Sequence, residues 1–120
     1  MNFQKRRAVA YIAGKLISGK DSGAVYDYST SSYTNLSGEV SPNRINVYDY
    51  DRSCFLSGTG ALDRLSLYDY GTSQSIQLKI RGNKFEGYDY ETSTSFSGTV
   101  KDSSISFYDY QDSTYYNYAI

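Results

Sequence analysis

The chain has 120 residues, enough for one domain with a buried core and too few for two. It contains 15 Tyr, 5 Phe, no Trp and no His, which excludes Ser-His-Asp catalysis and His-based zinc chemistry. Net charge is −1, but residues 1–20 hold Lys5, Arg6, Arg7, Lys15 and Lys20 and no acid, leaving all 13 carboxylates to an acidic body that argues against nucleic-acid binding.

Residues 3–18 read as a helix. Val9, Ile12, Ala13, Leu16 and Ile17 fall on one side of a helical wheel, with Arg7, Tyr11 and Lys15 opposite. Gly19 and Gly23 supply a stop and a linker. Such a helix is expected to cover the open apolar face or end of a sheet, and its cations are expected to dock on the acidic body of the same chain. Its apolar face, without Trp or several Phe, is too modest to favour a membrane surface. The apolar run Ala8–Ala13 is short for a secretory signal, and no stretch approaches the length of a membrane-spanning helix. Cys54 is the only cysteine, so no intrachain disulfide can form, which fits a cytoplasmic setting.

From residue 24 the chain repeats. Tyr-Asp-Tyr occurs at 26–28, 48–50, 68–70, 88–90 and 108–110, at spacings of 22, 20, 20 and 20. A serine follows each motif by three positions (Ser31, Ser53, Ser73, Ser93, Ser113), and an apolar residue comes three further on at Leu56, Ile76, Phe96 and Tyr116. In the first copy that residue is Leu36, displaced by two inserted residues. Each unit then reads as two strands with period-2 alternation, such as Phe96-Ser-Gly98-Thr-Val100 followed by Ile105-Ser-Phe107-Tyr-Asp-Tyr110. Four turn-forming residues join them, with Asn or Asp at the third place (Asn43, Asp63, Asn83) suited to a left-handed or turn conformation.

Alternation puts Ile45, Val47 and Asp49 on one face, with Tyr48 and Tyr50 on the other. The first strand carries Gly38, Gly58 or Gly98 where the second carries a large residue; in the third unit Leu78 and Gly87 reverse the roles. That exchange is expected of two columns sharing volume in one interior.

A two-strand unit of this length can build an antiparallel meander or a parallel solenoid capped by the helix. Stacking Asp27, Asp49, Asp69, Asp89 and Asp109 at the single-strand spacing of a solenoid would need protonation or bound cations. In a meander they stand two strands apart, about 9–10 Å. The expected fold is therefore all-β with an N-terminal α-helix: ten short antiparallel strands in a meander or up-and-down barrel. It forms a single domain over 1–120, with helix and linker in 1–20 and the five-copy body in 24–120.

The five Asp residues are expected to cap the turns that follow them, since catalysis needs one unique site and calcium loops cluster several oxygen ligands. No metal or cofactor is expected, and no Gly-rich phosphate loop is present. Cys54, placed in a turn with no His to activate it, is not expected to be a nucleophile. Tyr26, Tyr28, Tyr48, Tyr50, Tyr68, Tyr70, Tyr88, Tyr90, Tyr108 and Tyr110 form an outward face interleaved with Ser, Thr and Asn. Plain sheet packing would account for them. They are equally the materials of a recognition surface, because Tyr offers large contact area at low entropy cost. The expected function is a non-enzymatic binding or scaffold module engaging protein or another copy of itself. The alternative is a carbohydrate-binding, lectin-like module. A small hydrolase using Asp and Tyr ranks last.

Overall fold

In a computed structural model describing residues 1–120, helix α1 (Phe3–Ser18) is followed by ten antiparallel strands. These are β1 (Ala24–Asp27), β2 (Ser32–Ser41), β3 (Arg44–Asp49), β4 (Cys54–Ala61), β5 (Arg64–Asp69), β6 (Gln74–Arg81), β7 (Lys84–Asp89), β8 (Thr94–Lys101), β9 (Ser104–Asp109) and β10 (Thr114–Ala119). Each strand pairs with the next, and β10 pairs with β1, closing an up-and-down barrel. The solenoid alternative is not supported. Closure is thin: β1 and β10 share only the register pairs Tyr26↔Ala119 and Asp27↔Tyr118. The two residues inserted in the first unit lengthen β2, whose first half pairs with β1 and second half with β3.

One set of turns follows the Tyr-Asp-Tyr motifs, and the other set, at the opposite end, holds the two-residue hairpins at 42–43, 62–63, 82–83 and 102–103. Strands end at the motif Asp, so the second tyrosine opens the turn instead of closing the strand. The repeated serines 31, 53, 73, 93 and 113 all adopt left-handed backbone, with φ between 53° and 55°. In the hairpins Asn43, Asp63 and Asn83 sit in the turn as expected, without left-handed backbone; in two of the four hairpins the residue before the third place, Gly82 or Asp102, is left-handed.

Inward positions carry the aliphatic and Phe side chains, among them Ile45, Val47, Leu65, Leu67, Phe85 and Phe107, all buried. The small-for-large columns face each other directly: Gly38↔Val47, Gly58↔Leu67, Leu78↔Gly87 and Gly98↔Phe107. A Cβ on Gly98 would stand 2.2 Å from the Ser106 carbonyl oxygen and 2.3 Å from the Phe85 ring, so glycine there admits both a neighbouring strand and an aromatic side chain.

The helix corrects one expectation. It does not cover a face or an end of the sheet; it runs through the barrel interior. Lys5 to Gly14 are buried on every side, including Arg7 and Tyr11 from the face read as polar. The helix joins the strand residues in one core of 23 buried side chains. Asn2 caps it, its side chain accepting from the amides of Gln4 at 2.8 Å and Lys5 at 3.3 Å. Gly19, at φ 68°, ends it by donating its backbone N–H in a hydrogen bond to the Lys15 carbonyl. No helix is long and apolar enough to cross a membrane.

Candidate functional site

Each motif places one acid inside the barrel between two tyrosines outside it. Asp27, Asp49, Asp69, Asp89 and Asp109 are all buried. One oxygen of each accepts the backbone amide two residues on, at 3.0–3.2 Å, from Ser29, Asp51, Gly71, Glu91 and Gln111. This ties every strand end to its turn.

The remaining carboxylate valences meet cations, most of them from the helix. Arg7 Nε donates to Asp27 Oδ2 at 2.8 Å, Lys5 Nζ to Asp89 Oδ1 at 2.7 Å, and Arg6 Nη1 to Asp109 Oδ2 at 3.1 Å. Arg6 also bonds Tyr118 Oη through Nε at 2.9 Å and lies over the Tyr116 ring. The helix does not pair with Asp49 and Asp69. Arg52 serves both, with Nε 2.8 Å from Asp49 Oδ2 and Nη1 2.8 Å from Asp69 Oδ2. It occupies the turn position held by Thr72 and Thr92 in the next two units, whose hydroxyls bond their own Asp. Its Nη2 is buried without a hydrogen-bond partner.

These contacts move titrations. Burial raises the Asp27 carboxyl, but bonds from Arg7 and from the Ser29 hydroxyl and amide outweigh it, and its pKa is lowered overall. Burial also works against the Arg52 charge, yet Asp69 and Asp49 raise its pKa. Tyr118 is pushed up chiefly by burial. The five motif acids are thus buried and paired within the framework. No three Asp, Glu or Cys side chains converge in a metal-binding group.

Outside, the tyrosines form a belt. Within each motif the two rings pack edge to face, with centroids 4.7–5.0 Å apart. Tyr28, Tyr50, Tyr68, Tyr70, Tyr90 and Tyr110 are exposed; Tyr26, Tyr48, Tyr88 and Tyr108 are half-buried. Three of the first tyrosines gain a further aromatic across the strand pair: Tyr33, Phe55 and Tyr115, at 4.6, 4.9 and 4.6 Å. Opposite Tyr68 and Tyr88 the partners are Ser75 and Ser95. The belt opens there into two clefts, one of about 360 Å³ between Tyr68 and Tyr90, the other of about 550 Å³ between Tyr88 and Tyr110. Beside the second, a groove of about 560 Å³ crosses the outer face of β6–β9 and reaches Tyr115, lined by Lys79, Arg81, Lys84, Glu86 and Tyr108 among others.

The structure brings the ten motif tyrosines to one surface and the five Asp residues to the ring beneath it. Cys54 starts β4 opposite Asp49 instead of sitting in a turn, and burial raises its thiol pKa. Sequence reasoning overlooked Arg52, though it alone among the equivalent turn residues is a cation; this was the available signal. The acidity of the body also proves largely internal. Outside the barrel's buried network, eight Lys or Arg stand against eight Asp or Glu, so the exterior is balanced and its charge is no ground for excluding any partner. Compared with known proteins, the chain matches no family model, no curated protein and no solved structure.

Proposed function

We propose that this chain is a non-enzymatic binding or scaffold module whose tyrosine belt engages a protein partner or a second copy of the chain. The observation that carries this reading is the exposure of six motif tyrosines on a rigid barrel wall. Their rings already pack against one another, so little side-chain freedom remains to be lost on contact. A purely packing role would not require the second tyrosine of each motif to stand open to solvent. Cytoplasmic residence belongs to the same proposal.

Replacing Tyr50, Tyr70 and Tyr90 together with Ser tests it. Cooperative thermal unfolding should persist, while association seen by sedimentation velocity or partner capture should vanish. Unchanged association in a folded triple variant would overturn the reading.

The two clefts favour carbohydrate as a second reading, since each sets tyrosines on either side of Ser and Gln hydroxyl and amide groups. On a glycan array, binding by the native chain and its loss in Ser75→Tyr/Ser95→Tyr, which fills both clefts, would support it. A blank array would remove it.

A further inference from the structure

We infer that the outer groove of β6–β9 is a docking site for the acidic motif-turn end of a second copy, so that the protein associates head to tail. This deepens the self-association reading by naming the surfaces.

The molecule is electrically polarised along the barrel axis. At the motif-turn end five positive groups, the Met1 ammonium and the side chains of Lys5, Arg6, Arg7 and Arg52, stand against eight carboxylates: the five ring Asp residues plus Asp51, Glu91 and Asp112. At the hairpin end seven Lys or Arg stand against four acids. Lys79 and Glu86 oppose each other between the two ends. One end is thus net negative and the other net positive, about a barrel length apart, in a molecule 30 Å across.

The groove concentrates the positive end. Arg81 and Lys84 from that end line it together with Lys79, against the single acid Glu86; all three cations are exposed, and none lies within ion-pair distance of an acid. Arg81 and Lys84 are direct cross-strand partners flanking the Gly82-Asn83 turn. Like charges placed directly opposite destabilise a strand pair, and an anionic partner relieves the cost. Tyr108 and Tyr115, packed edge to face, form an aromatic wall beside these cations.

The complementary surface lies on the same chain. Asp51, Glu91 and Asp112 are exposed on the motif turns, next to or near exposed Tyr50, Tyr90 and Tyr110; one side of each is held by Arg7, Lys5 and the Tyr116 hydroxyl respectively, and the other faces solvent. A turn bearing a carboxylate and a phenol ring matches a groove of cations with an aromatic wall. Because groove and turns are different patches, the contact is heterologous and does not close on itself, which gives open chains instead of a symmetric dimer.

Sedimentation velocity on the full chain tests this, at about 0.01 M and about 1 M salt, where the screening length falls from about 30 Å to about 3 Å. At low salt the weight-average sedimentation coefficient should climb with concentration past the dimer value; at high salt it should return to that of the monomer. Lys79→Glu/Arg81→Glu/Lys84→Glu, all at exposed positions, should be monomeric at low salt with an unchanged circular dichroism spectrum. That variant keeps its acidic end, so mixing it with native protein should shorten the native assemblies by capping them. A native chain that is monomeric at both salts, or assembly unaffected by the charge reversal, would overturn the proposal. Association that survives the reversal but is lost in the Tyr50/Tyr70/Tyr90 variant would leave the belt reading standing and the groove reading refuted.

Discussion

Lys5 Nζ, on a helix inside the barrel, lies 2.7 Å from Asp89 Oδ1, and both side chains are at most 1% exposed. Neither charge has bulk water to fall back on. Lys5→Met should therefore strand the Asp89 carboxylate and lower stability by about 3–5 kcal/mol. Adding Asp89→Asn should recover part of the loss, since an amide can still accept the Glu91 backbone bond without carrying charge. Urea denaturation of the native chain and both variants measures the effect; equal stability of all three would contradict a structural role for the pair.

Arg52 makes a sharper case, because one guanidinium neutralises two acids. Arg52→Thr installs the residue of the neighbouring units at that turn. A threonine hydroxyl can bond Asp49, as Thr72 bonds Asp69, but neither acid would then have a cation. A loss of about 3–5 kcal/mol is expected, with Arg52→Lys falling between, since a single ammonium lacks the fork that spans both carboxylates. Thermal unfolding followed by circular dichroism ranks the three proteins.

Acid should weaken the fold in a predictable direction. The Asp27 pKa is lowered in the folded chain from its ordinary 3.8, so below that value the unfolded state binds more protons. Its contribution is complete above the unfolded pKa and is lost as pH falls through the lower folded value. Melting temperature should drop from pH 4 downward, and Asp27→Asn should flatten that limb while starting from a less stable protein. A slope unchanged by the substitution would show that Asp27 does not contribute to it.

The five left-handed serines offer a gain. At φ 55°, Ser73 carries a side chain where glycine is unstrained, and a left-handed residue costs roughly 1–2 kcal/mol. Glycine forfeits some of that through the greater freedom of the unfolded chain, roughly 0.4–1 kcal/mol. Ser73→Gly should thus stabilise by up to about 1 kcal/mol, and Ser73→Val should destabilise. A lower midpoint for the glycine variant in urea would point to a side-chain role that the hydrogen bonds do not reveal.

Much of this architecture could be read from local pattern. Alternation within each unit put Ile45, Val47 and Asp49 on one side and the tyrosines on the other. The Leu78–Gly87 reversal identified columns that prove to be register partners. The helix was harder, because its surroundings are set by residues far away in the chain. That its cations would dock on the acidic body was legible, but not which acids would receive them: Arg7 and Lys5 meet Asp27 and Asp89, 20 and 84 positions away. The excess of cations over acids in the first 20 residues was the visible trace, but a charge count carries no direction. Clefts at Ser75 and Ser95 arise from what is missing opposite Tyr68 and Tyr88, and depend on register that alternation alone leaves open.

A helix enclosed by a closed wall also constrains the order of events in folding. It cannot be threaded through a finished cylinder, so the strands must wind about it, and the meeting of β1 with β10 must come late. That seam joins segments separated by nearly the whole repeat array, the kind of long-range closure that slows folding. Loosening it should give the partly wrapped chain time to expose aliphatic side chains that the finished protein never shows.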